Sequence, residues 1–211
     1  MVRTKSDEKR RDIVRVAREA FQEFGFDRTS MNVIAERLGG SKQTLYNYFA
    51  SKDDLLRAVL DFEVGEAADR AVEDLLSEKS VRNGLIRLGR EYLERQLAPQ
   101  SISNLRIVVS QAPSSDLGRD FYHNILCVAW KRVAAAFDRL MDDGQLSRAD
   151  PWLATMHYKG LVLQDTLERE LLGASEAIDP DEIHVAATQA ADAFLKIYGP
   201  DTSKHKARPR A

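Results

Sequence analysis

Residues 29–49 read TSMNVIAERLGGSKQTLYNYF, and their pattern is the most informative in the chain about its fold. Apolar residues recur at the spacing of one helix face on both sides of the Gly39-Gly40 pair: Ile34, Ala35 and Leu38 before it, Leu45 and Phe49 after it. Thr29 or Ser30 can cap the first helix, and Ser41 can cap the second. Two short amphipathic helices joined by a glycine-containing turn have the spacing of a helix-turn-helix.

The second of these helices leaves polar side chains on its outer face. They are hydrogen-bond donors and acceptors suited to base edges and phosphates: Lys42, Gln43, Thr44, Tyr46, Asn47 and Tyr48. Two tyrosines exposed so close together favour a partner surface, because a free surface gains little from displaying them. The alternative is that one of them packs inward beside Phe49. On pattern alone, an ordinary helical hairpin is the competing interpretation.

The rest of the chain also has helical periodicity. There is no proline before Pro99, and 44% of the 211 residues are hydrophobic, which is enough for a core. The further predicted helices are 7–24, 51–76, 80–97, 101–112, 116–143, 150–172 and 179–198. The sequence therefore predicts an all-α protein of about nine helices without a strand.

The net charge of −2 argues weakly against nucleic-acid binding, but the distribution of charge along the chain favours it. Residues 1–60 hold twelve Lys and Arg against nine Asp and Glu, whereas the remainder holds nineteen against twenty-four. Clustered cations at the front of the chain are typical of phosphate binding. The single Cys127 permits no intrachain disulfide, and no apolar run approaches the roughly 20 residues of a membrane span. We therefore expect a cytoplasmic protein without a membrane partner.

Enzymatic and metal chemistry find no support in the sequence. The four histidines are scattered without metal-ligand spacing, and no nucleophile elbow, phosphate loop or dinucleotide fingerprint is present. We expect no catalytic residue, no metal and no cofactor. A helical enzyme remains an interpretation only if a pocket acid or base such as His157 supports turnover.

The N-terminal sequence closely resembles the DNA-binding domain of the TetR family of transcriptional regulators. The resemblance runs without a gap over residues 13–60. Its most specific pieces are AxxxFxxxG at 17–25, IAxxLG at 34–39 and SKxTLYxYFxSKxxL at 41–55. The sequence departs at Gly40, where the family usually has valine or another apolar residue under the turn.

The resemblance implies which residues contact DNA. The helix from Ser41 to Phe49 corresponds to the recognition helix, and its six outward polar residues correspond to contact positions in relatives. Thr29 and Ser30 would offer hydroxyls and backbone N–H groups to a phosphate, and Lys52 would bind another phosphate. A basic arm would follow the backbone or enter a minor groove, with a solvated face as the alternative: Arg3, Lys5, Arg10 and Arg11.

The later sequence is similar to the C-terminal domain of the AefR-like subgroup over about 104–173. Together, the two resemblances imply a helix-turn-helix domain at 1–50 and a ligand-binding and dimerisation domain at 51–200. A basic tail is predicted at 201–211. Candidate ligand-pocket residues supply apolar walls and a few polar groups: Phe121, Tyr122, Ile125, Cys127, Trp130, Trp152, Met156, His157, Tyr158, Leu161 and Gln164.

Dimerisation through the last two long helices is a further implication of the family. Their apolar positions are Leu161, Leu167, Leu171, Val185, Ala186, Ala190, Ala193, Phe194 and Ile197, with intrachain core as the alternative for half of them. The predicted function is a homodimeric repressor released from a palindromic operator by a small apolar or amphipathic inducer. An alternative, favoured only by Gly40, is a helical small-molecule-binding protein that acts through a protein partner.

Overall fold

The computed structural model describes residues 5–174 and 179–200, and this part of the chain contains helices and turns without a β-strand. The helices in chain order are α1 (Lys5–Phe24), α2 (Met31–Arg37), α3 (Lys42–Tyr48), α4 (Lys52–Ser77), α5 (Val81–Gln96), α6 (Pro99–Gln111), α7 (Leu117–Asp120), a π-helical segment (Phe121–Leu126), α8 (Cys127–Asp142), α9 (Pro151–Leu163), α10 (Thr166–Leu172) and α11 (Pro180–Tyr198). The predicted all-α fold is confirmed. Arg3 and the predicted tail at 201–211 lie outside the described residues.

Side-chain caps begin several of these helices at the positions that the sequence predicts. Ser30, Ser41 and Ser80 each accept a hydrogen bond from the backbone N–H three residues later. Asp150 accepts one from the N–H of Leu153 at 2.7 Å. Each cap satisfies a donor that the first turn of a helix leaves unbonded.

Two predicted helices are less regular than the sequence pattern indicates. The segment predicted as one helix over 116–143 contains the π-helical turn Phe121–Leu126 between α7 and α8. The single helix predicted over 150–172 is wrong, because α9 ends at Leu163 and the next residue, Gln164, has a φ of 47° in the left-handed region. A non-glycine residue seldom adopts this conformation, so the break could not be predicted from residue type.

The described chain divides into two compact units. The first unit comprises the residues up to Glu66 together with Asn104–Leu126, and the second comprises Ala67–Ser103 and the residues from Cys127 onward. Helix α4 contributes residues to both units. The predicted boundary at residue 50 separates a DNA-binding domain from a ligand-binding domain by function. The compact units do not test it, and it stays a prediction.

The core of the first unit forms around the predicted apolar face of α1. Ile13, Ala17 and Phe21 are buried there, and the Phe21 and Phe26 rings lie 5.4 Å apart. Buried residues from the second segment of the unit join the same cluster: Val108, Leu117, Phe121 and Ile125. Burial of this face anchors α1 beside the helix-turn-helix.

The core of the second unit is rich in aromatic rings. Phe137, Tyr158 and Phe194 are almost completely buried, and the Phe194 ring centroid lies 5.1 Å from Phe137 and 5.3 Å from Tyr158. A Cβ at Gly89 would lie 2.8 Å from the Tyr158 hydroxyl oxygen. The absence of a side chain at this position of α5 therefore makes room for Tyr158. No described helix is both long and apolar enough to cross a membrane.

Candidate functional site

Helices α2 and α3 form a helix-turn-helix whose inner face belongs to the core of the first unit. Ile34 and Leu45 are buried, one on each helix. Gly39 makes the turn with φ of 61°, a conformation that glycine adopts without steric cost. The Ser41 hydroxyl then accepts the Thr44 N–H at 3.1 Å and begins α3. The predicted boundaries of both helices are met within one or two residues.

The outer face of α3 is polar and exposed. Lys42, Gln43, Tyr46 and Asn47 are all exposed, with 47% of Tyr46 accessible. The Gln43 side-chain amide donates to Asn47 Oδ1 at 3.2 Å. These groups can donate to and accept from the edges of bases, and Leu45 fixes the opposite face of the helix.

The two tyrosines of α3 occupy different environments. Tyr46 projects outward, whereas Tyr48 is half-buried and packs against the core of the first unit. Thr44 is also half-buried, and its hydroxyl lies 3.0 Å from the Ser41 hydroxyl. The sequence-based alternative that one tyrosine packs inward therefore describes Tyr48.

The structure places the Thr29 side chain inside the protein. It is 1% exposed, and its hydroxyl lies 2.7 Å from the Gly25 carbonyl oxygen and 3.2 Å from that of Ala20. The burial and the internal hydrogen bonds of this hydroxyl therefore oppose its predicted contact with a phosphate. Ser30 is exposed, and its hydroxyl accepts the Val33 N–H at 3.3 Å.

The cations predicted to contact phosphate differ in their surroundings. Lys52 is half-buried, and its Nζ donates to the Phe26 carbonyl at 2.9 Å and lies 4.0 Å from the centre of the Phe26 ring. Arg10 is exposed, with its guanidinium carbon 5.1 Å from the centre of the Phe49 ring. Arg11 is also exposed, and Lys5 begins α1.

A charged recess of about 270 Å³ also lies in the first unit. Its lining residues are Arg10, Asp54, Arg57, Ala58, Asp61, Asp120, Asn124 and Ile125. Arg57 lies 2.8 Å from an oxygen of Asp54 and 3.6 Å from one of Asp120. The guanidinium therefore occupies the position between two carboxylates that a cation would take. Among the described residues, no group of three His, Cys, Asp or Glu could hold a metal ion.

The predicted pocket residues are divided between the two units. Phe121 and Ile125 are buried in the core of the first unit, and Tyr122 is 50% exposed. The other principal candidates belong to the second unit: Trp130, Met156, His157, Tyr158, Leu161 and Gln164. Each unit therefore holds its own part of the predicted set.

Within the second unit, most of these residues have structural partners. Tyr158 is a core residue, and its hydroxyl donates to the Leu85 carbonyl. Its burial raises the pKa of the phenol. His157 is exposed, and its Nδ1 lies 2.6 Å from the Tyr198 hydroxyl. Exposed Gln164 ends α9, while Trp130 is buried and Met156 and Leu161 are half-buried.

Three residues that the sequence analysis did not select form a cluster with Trp130, in which Tyr92 and Lys159 lie beside Trp130 and Arg95 lies beside Tyr92. The Tyr92 ring meets Trp130 edge-on with centroids 4.9 Å apart, and the Lys159 Nζ lies 5.7 Å from the Trp130 ring centre. The Arg95 guanidinium carbon lies 5.8 Å from the Tyr92 ring centre. Burial raises the pKa of Tyr92 and lowers the pKa of both cations. Only the i, i+3 spacing of Tyr92 and Arg95 on α5 hints at this cluster in the sequence.

Comparison with known proteins finds one family match in the N-terminal part of the chain and another in the C-terminal part. Residues 13–59 match the model described as bacterial regulatory proteins, tetR family, and residues 83–200 match the AefR-like transcriptional repressor, C-terminal domain. The chain is similar to a structure from Mesorhizobium loti described as a TetR-family transcriptional regulator, with 28% identity and a TM-score of 0.81 over 93% of this chain and 100% of that chain.

Two other solved structures share the architecture. The flavonoid-responsive regulator FrrA is 27% identical, with a TM-score of 0.66 over 92% of this chain and 100% of that chain. A TetR transcriptional regulator from Agrobacterium tumefaciens is 23% identical, with a TM-score of 0.72 over 93% of this chain and 97% of that chain. The latter likeness concerns the fold.

Proposed function

Since this chain belongs to the TetR family of bacterial transcriptional regulators, we propose that it is a ligand-responsive repressor that binds a palindromic operator as a homodimer. Two copies of α3 would enter successive major grooves about 34 Å apart. A small apolar or amphipathic effector would bind the C-terminal part of the chain and release the DNA. A coupling free energy of about 1–3 kcal/mol between effector and operator binding is enough for such a switch. We propose a regulatory role rather than a catalytic one.

The observation that carries the DNA-binding proposal is the exposed polar face of α3. Leu45 holds the helix against the core, so Gln43, Tyr46 and Asn47 are presented to a partner. No Asp or Glu occurs between Leu38 and Lys52, so no carboxylate of this stretch would repel phosphate.

The contact residues would divide between bases and phosphates. Gln43, Tyr46 and Asn47 would reach base edges, whereas Lys42 and Ser30 would contact phosphate oxygens. The half-buried Thr44 and Tyr48 would contact DNA only with the parts that remain accessible. Lys52 would use the ammonium protons that its bond to Phe26 leaves free.

Titration against DNA from immediately upstream of the protein's own gene tests this proposal. We expect tight binding with dimer stoichiometry that weakens steeply with salt, because phosphate contacts release counterions. Tyr46→Ala should weaken binding in a folded dimer. Lys42→Ala should also lower the magnitude of the salt slope, by about 1 for each phosphate that the lysine neutralises in the wild type.

Lys131→Ala provides the matched control, because it removes an exposed lysine from α8 in the second unit. Its affinity for the operator should equal that of the wild type. Unchanged affinity in both the Tyr46→Ala and the Lys42→Ala variants would exclude α3 as the docking face.

We place the dimer contact on the exposed sides of α9 and α11. Val185 and Ile197 are 51% and 61% exposed, and Leu153 is exposed as well. A Cβ at Gly160 meets nothing within 4 Å, so a second helix has room to approach α9 closely. Of the apolar positions predicted for the interface, three are core residues of the protomer: Ala186, Ala190 and Phe194.

Sedimentation of a double variant tests the dimer contact. Val185→Glu with Ile197→Glu would bury two unpaired carboxylates, so we expect a monomer with a native circular dichroism spectrum. Val128→Glu is the control, because Val128 is also an exposed apolar residue but lies on α8. A double variant that remains dimeric would exclude this surface.

The effector would be a planar or amphipathic organic molecule. FrrA is described as flavonoid-responsive, and this chain shares 27% identity with it. Aromatic groups of the second unit, including Trp130 and Tyr92, provide walls for such a ligand. A screen for compounds that release the operator, with direct binding measured in parallel, tests this assignment.

A further inference from the structure

We propose that the effector of this protein is a planar aromatic anion, held by Tyr92 and Trp130 through its ring and by Arg95 and Lys159 through its charge. The ligand's role as effector rests on the proposed function. The binding site itself lies wholly within the second unit and can be tested without DNA.

Neither cation of this cluster has a carboxylate partner in the part of the chain that the structure describes. Among the described residues, no carboxylate oxygen lies within 4.0 Å of the Arg95 guanidinium or the Lys159 ammonium. Glu91, whose charge acts on Arg95, is paired with Arg87 at 2.9 Å. Other arginines of the second unit do have such partners, as Arg82 has in Asp192 at 2.6 Å.

The same two cations are partly desolvated. Burial is the main cause that lowers the pKa of Lys159 and of Arg95. Loss of hydration disfavours a charged group unless a partner replaces the water. The aromatic rings at 5.7 and 5.8 Å replace it only in part, because a ring quadrupole attracts a cation less than an anion does.

Solvent reaches three members of the cluster. Tyr92, Arg95 and Lys159 each retain intermediate exposure to solvent. Burial nevertheless raises the pKa of Tyr92, so protein atoms surround its hydroxyl closely.

The chemistry of the cluster then selects a ligand class. The half-exposed Tyr92 ring offers a surface for a flat aromatic system, and the edge-on Trp130 ring lies beside it. Two cations without a carboxylate partner among the described residues favour an anion, and a carboxylate or phenolate supplies negative charge on a planar group. A neutral molecule of the same shape would leave both cations without a counterion.

Calorimetric titration with 2-naphthoate and its neutral counterpart 2-naphthamide tests the proposal on the full-length protein. We expect the carboxylate to bind at least about tenfold more tightly than the amide, the difference typical of a charge-assisted hydrogen bond. Arg95→Gln and Lys159→Gln should each remove most of this preference while leaving amide binding unchanged. Lys159→Arg should retain it, because the charge is kept.

Lys131→Gln is the matched control, since Lys131 is exposed and follows Trp130 directly on α8. It should bind both probes like the wild type, and circular dichroism should be native in every variant. Equal affinities for the two probes, no binding of 2-naphthoate, or an anion preference that survives both glutamine variants would overturn the proposal.

The operator titration separates this inference from the proposed function. Binding of 2-naphthoate that is lost in Lys159→Gln supports the site, whether or not the wild type binds DNA. If 2-naphthoate binds at the site but does not release an operator that the protein does bind, the site stands and its role as the effector site is refuted. Release that disappears in Lys159→Gln supports both.

Discussion

The adjacent glycines of the helix-turn-helix provide a direct test of the turn geometry. Gly39 has φ of 61°, whereas the φ of Gly40 lies outside the left-handed region. An added Cβ meets no heavy atom within 4 Å at either position. Replacement of each glycine by alanine therefore changes the backbone energetics without creating a clash.

The magnitudes follow from this difference. Alanine reduces the conformational entropy of the unfolded chain, which stabilises a protein by about 0.4–1 kcal/mol where the native backbone suits it. This gain is common to Gly39→Ala and Gly40→Ala. Only alanine at position 39 adopts a left-handed conformation, which costs about 1–2 kcal/mol. We expect Gly40→Ala to be more stable than the wild type and Gly39→Ala to be less stable than Gly40→Ala by about that cost.

Thermal unfolding followed by circular dichroism measures the contrast. For a chain of this size, 1 kcal/mol corresponds to about 2–4 °C in Tm. Urea unfolding of the same variants, at one protein concentration, checks that dimerisation does not mask the difference. Equal destabilisation by the two substitutions would refute the assignment of the left-handed residue to Gly39.

Three further predictions concern single side chains. Thr29→Val should lower the free energy of unfolding by about 1–2 kcal/mol, because the carbonyls of Ala20 and Gly25 lose the hydroxyl that bonds to them. It should leave the salt slope of DNA binding unchanged, and Thr29→Ser, which keeps the hydroxyl, is the control in urea unfolding. Tyr158→Phe should cost about 1 kcal/mol through loss of the bond to Leu85, and an unchanged urea midpoint would contradict this. Asp192→Asn should lower Tm at neutral pH, because it removes the carboxylate that pairs with Arg82. The hydrogen bond from Arg82 lowers the pKa of Asp192, so the difference in Tm from the wild type should vanish as pH falls through this lowered pKa. A difference that persists in acid would contradict the ion pair.

The sequence predicted the helix-turn-helix well because its determinants are local. Ser41 caps α3, Leu45 faces the core and Gly39 makes the turn, and each of these roles depends on residues within one or two helical turns. The structure also explains why glycine is tolerated at position 40, where the family usually has an apolar residue. A side chain there would enter open space, so its absence removes no packing interaction from the turn.

Other features depend on contacts that sequence spacing does not reveal. The Thr29 hydroxyl bonds to the carbonyl of Ala20, nine residues earlier, and this bond turns a predicted DNA contact into a buried structural group. The break at Gln164 has no glycine or proline to signal it. Lys159 meets Trp130 only because α8 and α9 pack together, so no local pattern could have placed it in a site.

The cations of the N-terminal region show why a charge count overstates the charge available to DNA. Arg37 pairs with the carboxylate of Glu23, which offsets its charge. Arg28 and Lys52 donate to the backbone carbonyls of Phe24 and Phe26, which orients these side chains but leaves their charge in place. Within the described residues, Lys42 makes no hydrogen bond or ion pair through its ammonium group. With Lys42 and Lys52 of each protomer on phosphates, a dimer would release about four counterions, and a still steeper salt slope would require the basic arm of α1, including Arg10, to lie on the DNA.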